Sequence, residues 1–361
     1  MRAIVDAKAF SEALSKVSKV LVKSTIPVLE GLLIQFEDGH CSVTGSDFTT
    51  WLTVKLPAQG DSFAFVLQKP EKAVKACRYF EGKLLLDMCD EQPKYPVVTL
   101  SCGHRSGTFD AYPEKDYPER PQMGTGDSFT ANAADLLKRI ERVKYAVRAP
   151  QGYNDPAERT CVQFSGNNVF CLDGYRAACD TDPALTFRRP VMTWGNSLAY
   201  LKLMGDSKVC VQVEEKHVWL FSDTVSICCR NEGVLIFDLM RAVPTSFLEE
   251  FYVSPKEFLQ ELKYLEGFQP KSKSPVRFWN GQMVLKNAMD RCSTAVEIDG
   301  RSETAIGFDM RFKQDALKQF SGEKRVKVKI SGANTPIVVE AEGRNDFALV
   351  LPVRLNETRA A

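Results

Sequence analysis

The sequence predicts an α+β fold of three tandem domains that consist mainly of antiparallel sheets. Three observations support this class: a strand–turn–strand pattern that occurs three times, six helical patterns about 60 residues apart, and an ordinary globular composition. Of the 361 residues, 44% are hydrophobic and 26% are charged, which is typical of a chain with room for several cores.

Each copy of the strand pattern has a proline, an apolar strand and then a turn. The turns are DGH, SGNN and NGQ, in copies that begin at Ile26, Asp155 and Ser274. Gly and Asn at such turns supply the positive φ that hairpins require. A second strand follows and runs into an aspartate before a third strand. These aspartates are Asp47, Asp173 and Asp290.

The helical patterns show apolar residues at three- and four-residue spacing. They cover residues 9–23, 69–80, 133–147, 196–204, 254–265 and 309–320. Ser254 and Asp309 are predicted N-caps, and Pro255 suits a first helical turn. Each domain therefore consists of two strand-rich half-units with one helix apiece. Linker-like segments at 118–128 and 244–250 predict domains at residues 1–124, 125–247 and 248–361.

The charge pattern separates the helices from the rest of the chain. The net charge is only +1, from 47 basic and 46 acidic side chains, which argues against a protein that coats nucleic acid by bulk charge. Helix geometry nevertheless predicts basic outer faces. The residues on these faces are Lys16, Lys19, Lys23, Lys72, Lys75, Arg78, Lys138, Arg139, Arg142, Arg311, Lys313 and Lys318. Solvated amphipathic helices explain any one face, whereas several on one side would form a surface for a phosphate backbone.

Several kinds of site receive no support from the sequence. The 11 cysteines include no CxxC pair and the 3 histidines lie at no metal-ligand spacing, so we expect reduced thiols and neither metal nor cofactor. The N-terminus has no secretory pattern, and no stretch approaches the roughly 18 apolar residues of a membrane span. GxSxG, HExxH and GxGxxG motifs are absent, and Asp173 with Arg176 is interpreted as a turn cap beside a binding surface rather than a catalytic pair.

Four stretches resemble the bacterial sliding clamp, the β subunit of DNA polymerase III. They are KSTIPVLEGLLIQFEDG, VTGSDFTTWL, CLDGYRAA and TPIVVEAEGRNDFALVLPVRL, and the resemblance extends over the whole chain. It implies a ring of two head-to-tail protomers with helices around duplex DNA. It also implies a processivity factor without catalytic activity, in the cytoplasm at the nucleoid. The implied partners are double-stranded DNA, the DNA polymerase III catalytic subunit, a clamp loader and other proteins with clamp-binding peptides.

The resemblance further implies a hydrophobic pocket between the second and third domains, where partners insert a peptide of the Gln-Leu-x-Leu-Phe kind. By position, its residues are Ala157, Leu172, Gly174, Tyr175, Arg176, Ala177, Phe237, Arg241, Ala242, Val243, Phe312, Asn334, Pro336, Leu349, Val350, Leu351, Pro352, Val353 and Arg354. The family commonly has Thr, His and Leu at positions 172, 175 and 177, Pro at 237, and Leu near 157. The peptide preference is therefore open.

The same matching implies residues for DNA contact and for self-association. The DNA-binding candidates are Lys23, Lys72, Arg105, Gln151, Tyr153 and Lys202. Phe268 aligns with an apolar residue of the dimer interface, while Gly107 stands where its apolar partner would be. A homodimer is expected, but its dissociation constant is not predicted, because Gly107 lacks an apolar side chain. The main alternative is a peptide-binding scaffold that never encircles DNA, and an enzyme is the least favoured reading.

Overall fold

The computed structural model describes residues 1–89, 95–150, 155–233, 237–269, 274–287 and 292–355. The α-helices in these ranges are α1 Ala7–Val17, α2 Pro70–Cys77, α3 Ala133–Val143, α4 Ala157–Thr160, α5 Gly195–Leu198, α6 Leu239–Ala242, α7 Pro255–Glu266 and α8 Met310–Lys318. None of the described helices is long and apolar enough to cross a membrane.

Most of the secondary structure is strand. The strands are β1 Arg2–Asp6, β2 Leu32–Glu37, β3 His40–Ser46, β4 Thr50–Gly60, β5 Phe63–Leu67, β6 Lys83–Cys89, β7 Val97–Cys102, β8 Arg105–Pro113, β9 Asp127–Asn132, β10 Val162–Gly166, β11 Asn168–Leu172, β12 Arg176–Thr181, β13 Phe187–Thr193, β14 Lys208–Val213, β15 His217–Phe221, β16 Val225–Arg230, β17 Glu249–Val253, β18 Val276–Trp279, β19 Gln282–Asn287, β20 Cys292–Glu297, β21 Ile306–Phe308, β22 Val326–Ile330, β23 Ile337–Glu340 and β24 Asp346–Val350.

The repeated hairpins form where the sequence predicts them. They are β2–β3, β10–β11 and β18–β19, all antiparallel. Asp38 and Gly39 have φ of 51° and 75°, and Asn280 and Gly281 have 47° and 77°, which is the left-handed pair of a two-residue hairpin turn. The third aspartate of the pattern, Asp290, lies outside the described residues.

Helices α1, α7 and α8 begin at side-chain caps. Ser254 accepts a hydrogen bond from the Glu257 amide and Asp309 from the Arg311 amide, so both predicted caps are confirmed. The helical pattern at 196–204 is a short α-helix followed by a 3₁₀ segment, Ala199–Met204. The patterns at 9–23 and 133–147 also pass into 3₁₀ turns, Ser18–Val20 and Lys144–Ala146. Periodicity therefore located the helices but overestimated their length.

The chain divides into two compact units. Unit 1 is Met1–Leu137 with Asn196–Asn231, and unit 2 is Lys138–Gly195 with Glu232–Ala361. Strand pairing continues across both predicted domain boundaries, because β4 pairs with β16 and β12 pairs with β24. Each unit thus contains parts of two predicted domains, and the division into three domains stays a prediction.

Unit 1 has one sheet of 12 strands in the order β1-β6-β7-β8-β5-β2-β3-β4-β16-β15-β14-β9. Strand β1 also pairs with β4, so eight of these strands close on themselves. A buried cluster that includes Trp51, Tyr117 and Trp219 packs on this sheet. The indole of Trp51 meets the ring of Tyr117 edge-on at 5.9 Å between ring centroids.

Unit 2 has a sheet of 8 strands, β13-β10-β11-β12-β24-β23-β22-β17, and a sheet of 4 strands, β20-β19-β18-β21. Helices α7 and α8 contribute Phe258, Leu262 and Leu317 to its main apolar core. The core also receives Phe278 and Phe308 from the smaller sheet. Burial of these side chains is the main source of stability for the unit.

Three of the predicted outward basic residues are placed differently. Arg139 and Arg142 bind the buried carboxylate of Asp180 at 2.5 and 2.9 Å, and Arg139 also binds Asp182 at 2.6 Å. Lys313 is buried, with 1% of its surface exposed. The prediction of an outward face was wrong for these three, because helix periodicity gives a direction but not what packs there.

Candidate binding pocket

A cavity of about 310 Å³ opens on unit 2 beside the junction of β12 and β24. Its walls are mostly apolar, with charged groups at a few places. The lining residues are Glu158, Arg159, Leu172, Gly174, Arg176, Ala177, Phe237, Leu239, Ala242, Pro336, Leu349 and Leu351. A cavity of this size with apolar walls and few polar groups is typical of a site for a small ligand or a short peptide.

Strand pairing places the two main walls. Ala177 on β12 stands opposite both Leu172 on β11 and Leu349 on β24, so the three side chains belong to one face of the sheet. Beyond the end of β24, the Leu351 amide donates to the Tyr175 carbonyl at 2.9 Å. This bond holds Leu351 beside the cavity, where 41% of its surface is exposed.

Arg176 forms the polar end of the cavity. Its Nε lies 3.0 Å from Asp173 Oδ2 and its Nη1 lies 2.5 Å from Asp315 Oδ2, and its guanidinium also lies over the rings of Tyr145 and Phe312. Asp173 in turn accepts the Tyr175 and Arg176 amides at 2.9 and 3.0 Å, which confirms its predicted role as a turn cap. The guanidinium is therefore fixed in orientation, and its charge is matched by carboxylates.

An aromatic pair lies next to this end. The rings of Tyr175 and Phe312 stack with centroids 5.5 Å apart and an interplanar angle of 11°. Tyr175 is 60% exposed, so the pair presents a flat apolar surface to solvent. Neither residue lines the cavity itself. Such a surface suits the apolar part of a chain that leaves the cavity.

Other residues predicted for the pocket lie near it without lining it. Val350 is fully buried in the core, and Arg241 is exposed and pairs with Asp238 at 3.0 Å. Val353 follows β24, and its amide donates to the Gly307 carbonyl. The remaining residues of this group are half-buried or exposed: Ala157, Val243, Asn334, Pro352 and Arg354.

Three lining residues were missed by the sequence reasoning. Leu239 is buried in the apolar cluster beside the cavity, two residues before Arg241. Glu158 and Arg159 come from the short helix α4. A Cβ at Gly174 would lie 3.5 Å from the Arg159 guanidinium carbon, so this arginine covers the glycine. The proline and the charged residues of DPAERT were the available signal, but they do not indicate which side of this segment faces the sheet.

The residues predicted for DNA contact are far apart in the sequence. Four of them lie on unit 1 in the structure. Lys23, Lys72 and Lys202 are exposed, on a loop, on α2 and on a 3₁₀ segment respectively. Arg105 is exposed on β8 and donates to the Tyr79 carbonyl at 2.6 Å. Gln151 and Tyr153 lie outside the described residues.

The two residues predicted for self-association lie on β8 and after α7. Gly107 pairs with Leu100, and a Cβ there would approach the Phe109 ring to 3.1 Å. Phe268 is 37% exposed, and its ring lies 5.3 Å from that of Tyr264. Exposed rings of this kind are frequent at protein interfaces.

The described residues contain no group of three His, Cys, Asp or Glu side chains that could hold a metal ion. Burial raises the pKa of the Cys161 and Cys179 thiols to about 12. Both thiols therefore remain protonated near neutral pH, as expected for cysteines that act as small core residues.

Comparison with known sequences supports the resemblance. Residues 1–121 match the family model described as the DNA polymerase III beta subunit, N-terminal domain. The beta sliding clamp of Bacillus subtilis is 24% identical, over 92% of this chain and 93% of the relative. The beta sliding clamp homolog GriR of Streptomyces muensis is 22% identical, over 99% of this chain and 100% of the relative.

Solved structures show the same fold. The pol III beta of Caulobacter crescentus superposes with a TM-score of 0.86 at 18% identity, over 98% of this chain and 100% of that chain. A sliding clamp of Bartonella birtlesii bound to griselimycin superposes with a TM-score of 0.83 at 19% identity, with the same coverage. The predicted α+β clamp-type fold is therefore confirmed.

Proposed function

We propose that this chain, which is a divergent relative of the bacterial β sliding clamps, encircles duplex DNA and tethers partner proteins to it. The proposed form is a head-to-tail homodimer of protomers with domains at residues 1–124, 125–247 and 248–361. Its partners are the DNA polymerase III catalytic subunit, a clamp loader and other proteins with clamp-binding peptides. We place it in the cytoplasm, at the nucleoid. The function is topological, with no catalytic step.

The apolar cavity beside β12 and β24 is the observation that carries this proposal. It supplies what peptide capture requires: apolar walls from Leu172, Ala177 and Leu349, and a fixed polar end at Arg176. Burial of two or three apolar side chains of a peptide would supply most of the affinity, and polar groups at the rim would fix its orientation. Phe237 stands half-exposed at the wall, so the contacts of a bound peptide with this part of the wall are expected to differ from those in other clamps.

A peptide titration tests the pocket. A labelled Gln-Leu-x-Leu-Phe peptide is expected to bind with a Kd on the order of 1 μM, about −8 kcal/mol, by fluorescence anisotropy. Leu351→Ala removes an exposed wall side chain and should weaken binding about tenfold or more. Leu248→Ala is the matched control, because Leu248 is 75% exposed and does not line the cavity. Equal binding by wild type and Leu351→Ala would contradict the assignment of the pocket.

A second experiment separates a ring from a peptide-binding scaffold that never encircles DNA. Protein loaded on nicked circular DNA by a clamp loader should stay bound in gel filtration at high salt, and should be released when the circle is cut. A scaffold that contacts DNA only by charge would be lost from circular and linear DNA alike as salt rises. That outcome would leave the pocket in place and refute encirclement.

A further inference from the structure

A second cavity, of about 160 Å³, lies on unit 1 beside the β15–β16 turn. Its walls include Lys55, Arg120, Met123, Phe221, Asp223 and Ser226. The Lys55 amide donates to the Thr224 carbonyl at 2.8 Å, which fixes the turn against β4. These residues belong to unit 1, whereas the pocket described above consists of residues of unit 2.

Arg120 is the unusual member of this set. Its Nη2 donates to Ser226 Oγ at 3.3 Å, and its guanidinium carbon lies 5.4 Å from the centre of the Trp219 ring. Its Nε is buried and has no hydrogen-bond partner in the described part of the chain, and burial lowers the pKa of the guanidinium. A guanidinium has five N–H donors, so most of this hydrogen-bonding capacity is unused by the described residues.

The other half-buried arginines in the described part of the chain are neutralised. Each of them forms an ion pair with at least one carboxylate, and they are Arg139, Arg142, Arg148, Arg176 and Arg344. Arg120 differs from them, because no carboxylate of the described residues lies within ion-pair distance of its guanidinium. A charge that is removed from water without a counter-ion destabilises the fold, so an anion bound at this arginine would offset that cost.

The rest of the cavity indicates which anion fits. Lys55 is exposed and adds a second cation, while Asp223 is the single acidic residue among the described residues of the wall, so the wall carries excess positive charge. Met123 and Phe221 form an apolar side, and Met123 is 43% exposed. A planar guanidinium binds carboxylates through two parallel hydrogen bonds. The combination favours a carboxylate with an apolar group next to it.

We infer that this cavity is a second peptide-docking site, which takes an Asp or Glu side chain of a partner on Arg120 and Lys55 and an adjacent aliphatic side chain against Met123 and Phe221. The inference is independent of the proposed clamp function, because it uses other residues and requires neither DNA nor the apolar pocket of unit 2.

Calorimetric titration with three blocked peptides tests it: acetyl-Ile-Asp-Gly-amide, acetyl-Ile-Asn-Gly-amide and acetyl-Gly-Asp-Gly-amide. The first should bind at least tenfold more tightly than the other two. The preference for Asp over Asn should disappear in Arg120→Gln and weaken in Lys55→Gln, which alters only an exposed side chain and should not affect folding. Lys324→Gln removes one exposed positive charge elsewhere and should leave the preference unchanged.

Three results would overturn the inference. Equal binding of the Asp and Asn peptides would exclude a carboxylate site, and equal binding of the Ile and Gly peptides would indicate a simple anion site without a peptide contact. Persistence of the preference in both Arg120→Gln and Lys55→Gln would place the binding elsewhere. The titrations are repeated in Leu351→Ala protein, where unchanged affinities separate this site from the pocket of unit 2.

Discussion

The side-chain nitrogen of Lys313 lies in the core of unit 2, 6.0 Å from the centre of the Phe258 ring and 5.9 Å from that of Phe308. It has no hydrogen-bond partner among the described residues, and burial lowers its pKa from 10.5 to about 7. The lysine therefore gives up its proton on folding across much of the neutral and alkaline range, which reduces stability.

Replacement of this lysine by methionine should stabilise the protein. Lys313→Met keeps the length of the side chain and removes the amine, so the free energy of unfolding should rise at pH 7 by about 1–3 kcal/mol. Between about pH 7 and 10.5 the unfolded chain binds the proton and the folded chain does not. The free energy of unfolding of the wild type therefore increases as pH rises through this window. The difference in stability between Lys313→Met and wild type should decrease over the same range.

Urea unfolding at several pH values measures this effect. Lys324→Met, at an exposed lysine with no ion pair among the described contacts, is the control and should show no such pH-dependent difference. A Lys313→Met protein that is less stable than wild type at pH 7, or whose advantage does not change with pH, would contradict the account of a neutral buried amine.

Arg176 illustrates the opposite case, a buried charge that is fully matched. Arg176→Ala leaves Asp173, which is 4% exposed, without its cationic partner, so unfolding should become easier by about 3 kcal/mol. Arg325→Ala is the comparison, because Arg325 and Asp299 are both largely exposed and such a pair contributes about 0–1 kcal/mol. Similar losses for the two variants in urea unfolding would show that the buried network contributes little.

At the scale of single elements, two hairpin turns have the same backbone but different surroundings. Gly39 and Gly281 both have positive φ, at 75° and 77°. A Cβ at Gly39 would lie 3.9 Å from its nearest neighbour, whereas one at Gly281 would lie 3.1 and 3.2 Å from the carbonyl oxygens of Gly300 and Ile298. The turn at Gly281 is therefore the less tolerant of a side chain.

Alanine at these two glycines should thus have unequal effects on stability. Gly39→Ala is expected to cost about 1 kcal/mol from backbone strain alone, and Gly281→Ala clearly more, because two carbonyl groups must also shift. Urea unfolding of the two variants side by side measures the difference, and each variant is the control for the other. Equal losses would mean that the loop at Gly300 moves freely.

The sequence predicted the elements of this fold better than their ends and partners. Turn residues such as Asp38-Gly39 and caps such as Ser254 depend on local backbone geometry, which is why they were found. The burial of Lys313 and the ion pairs of Arg139 depend on residues distant in sequence, such as Phe258 and Asp180. No local pattern contains that information.

The same limit applies to the pocket. Leu172, Ala177 and Leu349 were named through a resemblance that preserves the order of the strands, and strand register then brings them together. Arg159 and Leu239 lie in segments where this chain departs from the resemblance, and only the three-dimensional packing shows that they reach the cavity. No pattern in the sequence indicated the Arg120 cavity. The inference for this cavity depends on the absence of a described carboxylate near Arg120, which only the three-dimensional structure shows.

At the scale of the whole molecule, the proposed ring depends on contact between two copies. Tyr264 in the last turn of α7 and Phe268 just after the helix form an exposed aromatic pair, while Gly107 offers no side chain on β8. An interface that lacks one apolar partner buries less surface than one with both, and each buried aromatic side chain contributes strongly to association. We therefore expect a dimer that dissociates measurably at low protein concentration.

Phe268→Ala should weaken this dimer about tenfold or more, since it removes the larger of the two predicted apolar contacts. Sedimentation velocity over a range of concentrations measures the dissociation constant for wild type and variant. Leu248→Ala, at a side chain that is 75% exposed, should leave the constant unchanged. A wild-type protein that stays monomeric at tens of micromolar would refute the ring even if the peptide pocket is occupied, because one protomer alone cannot close around DNA.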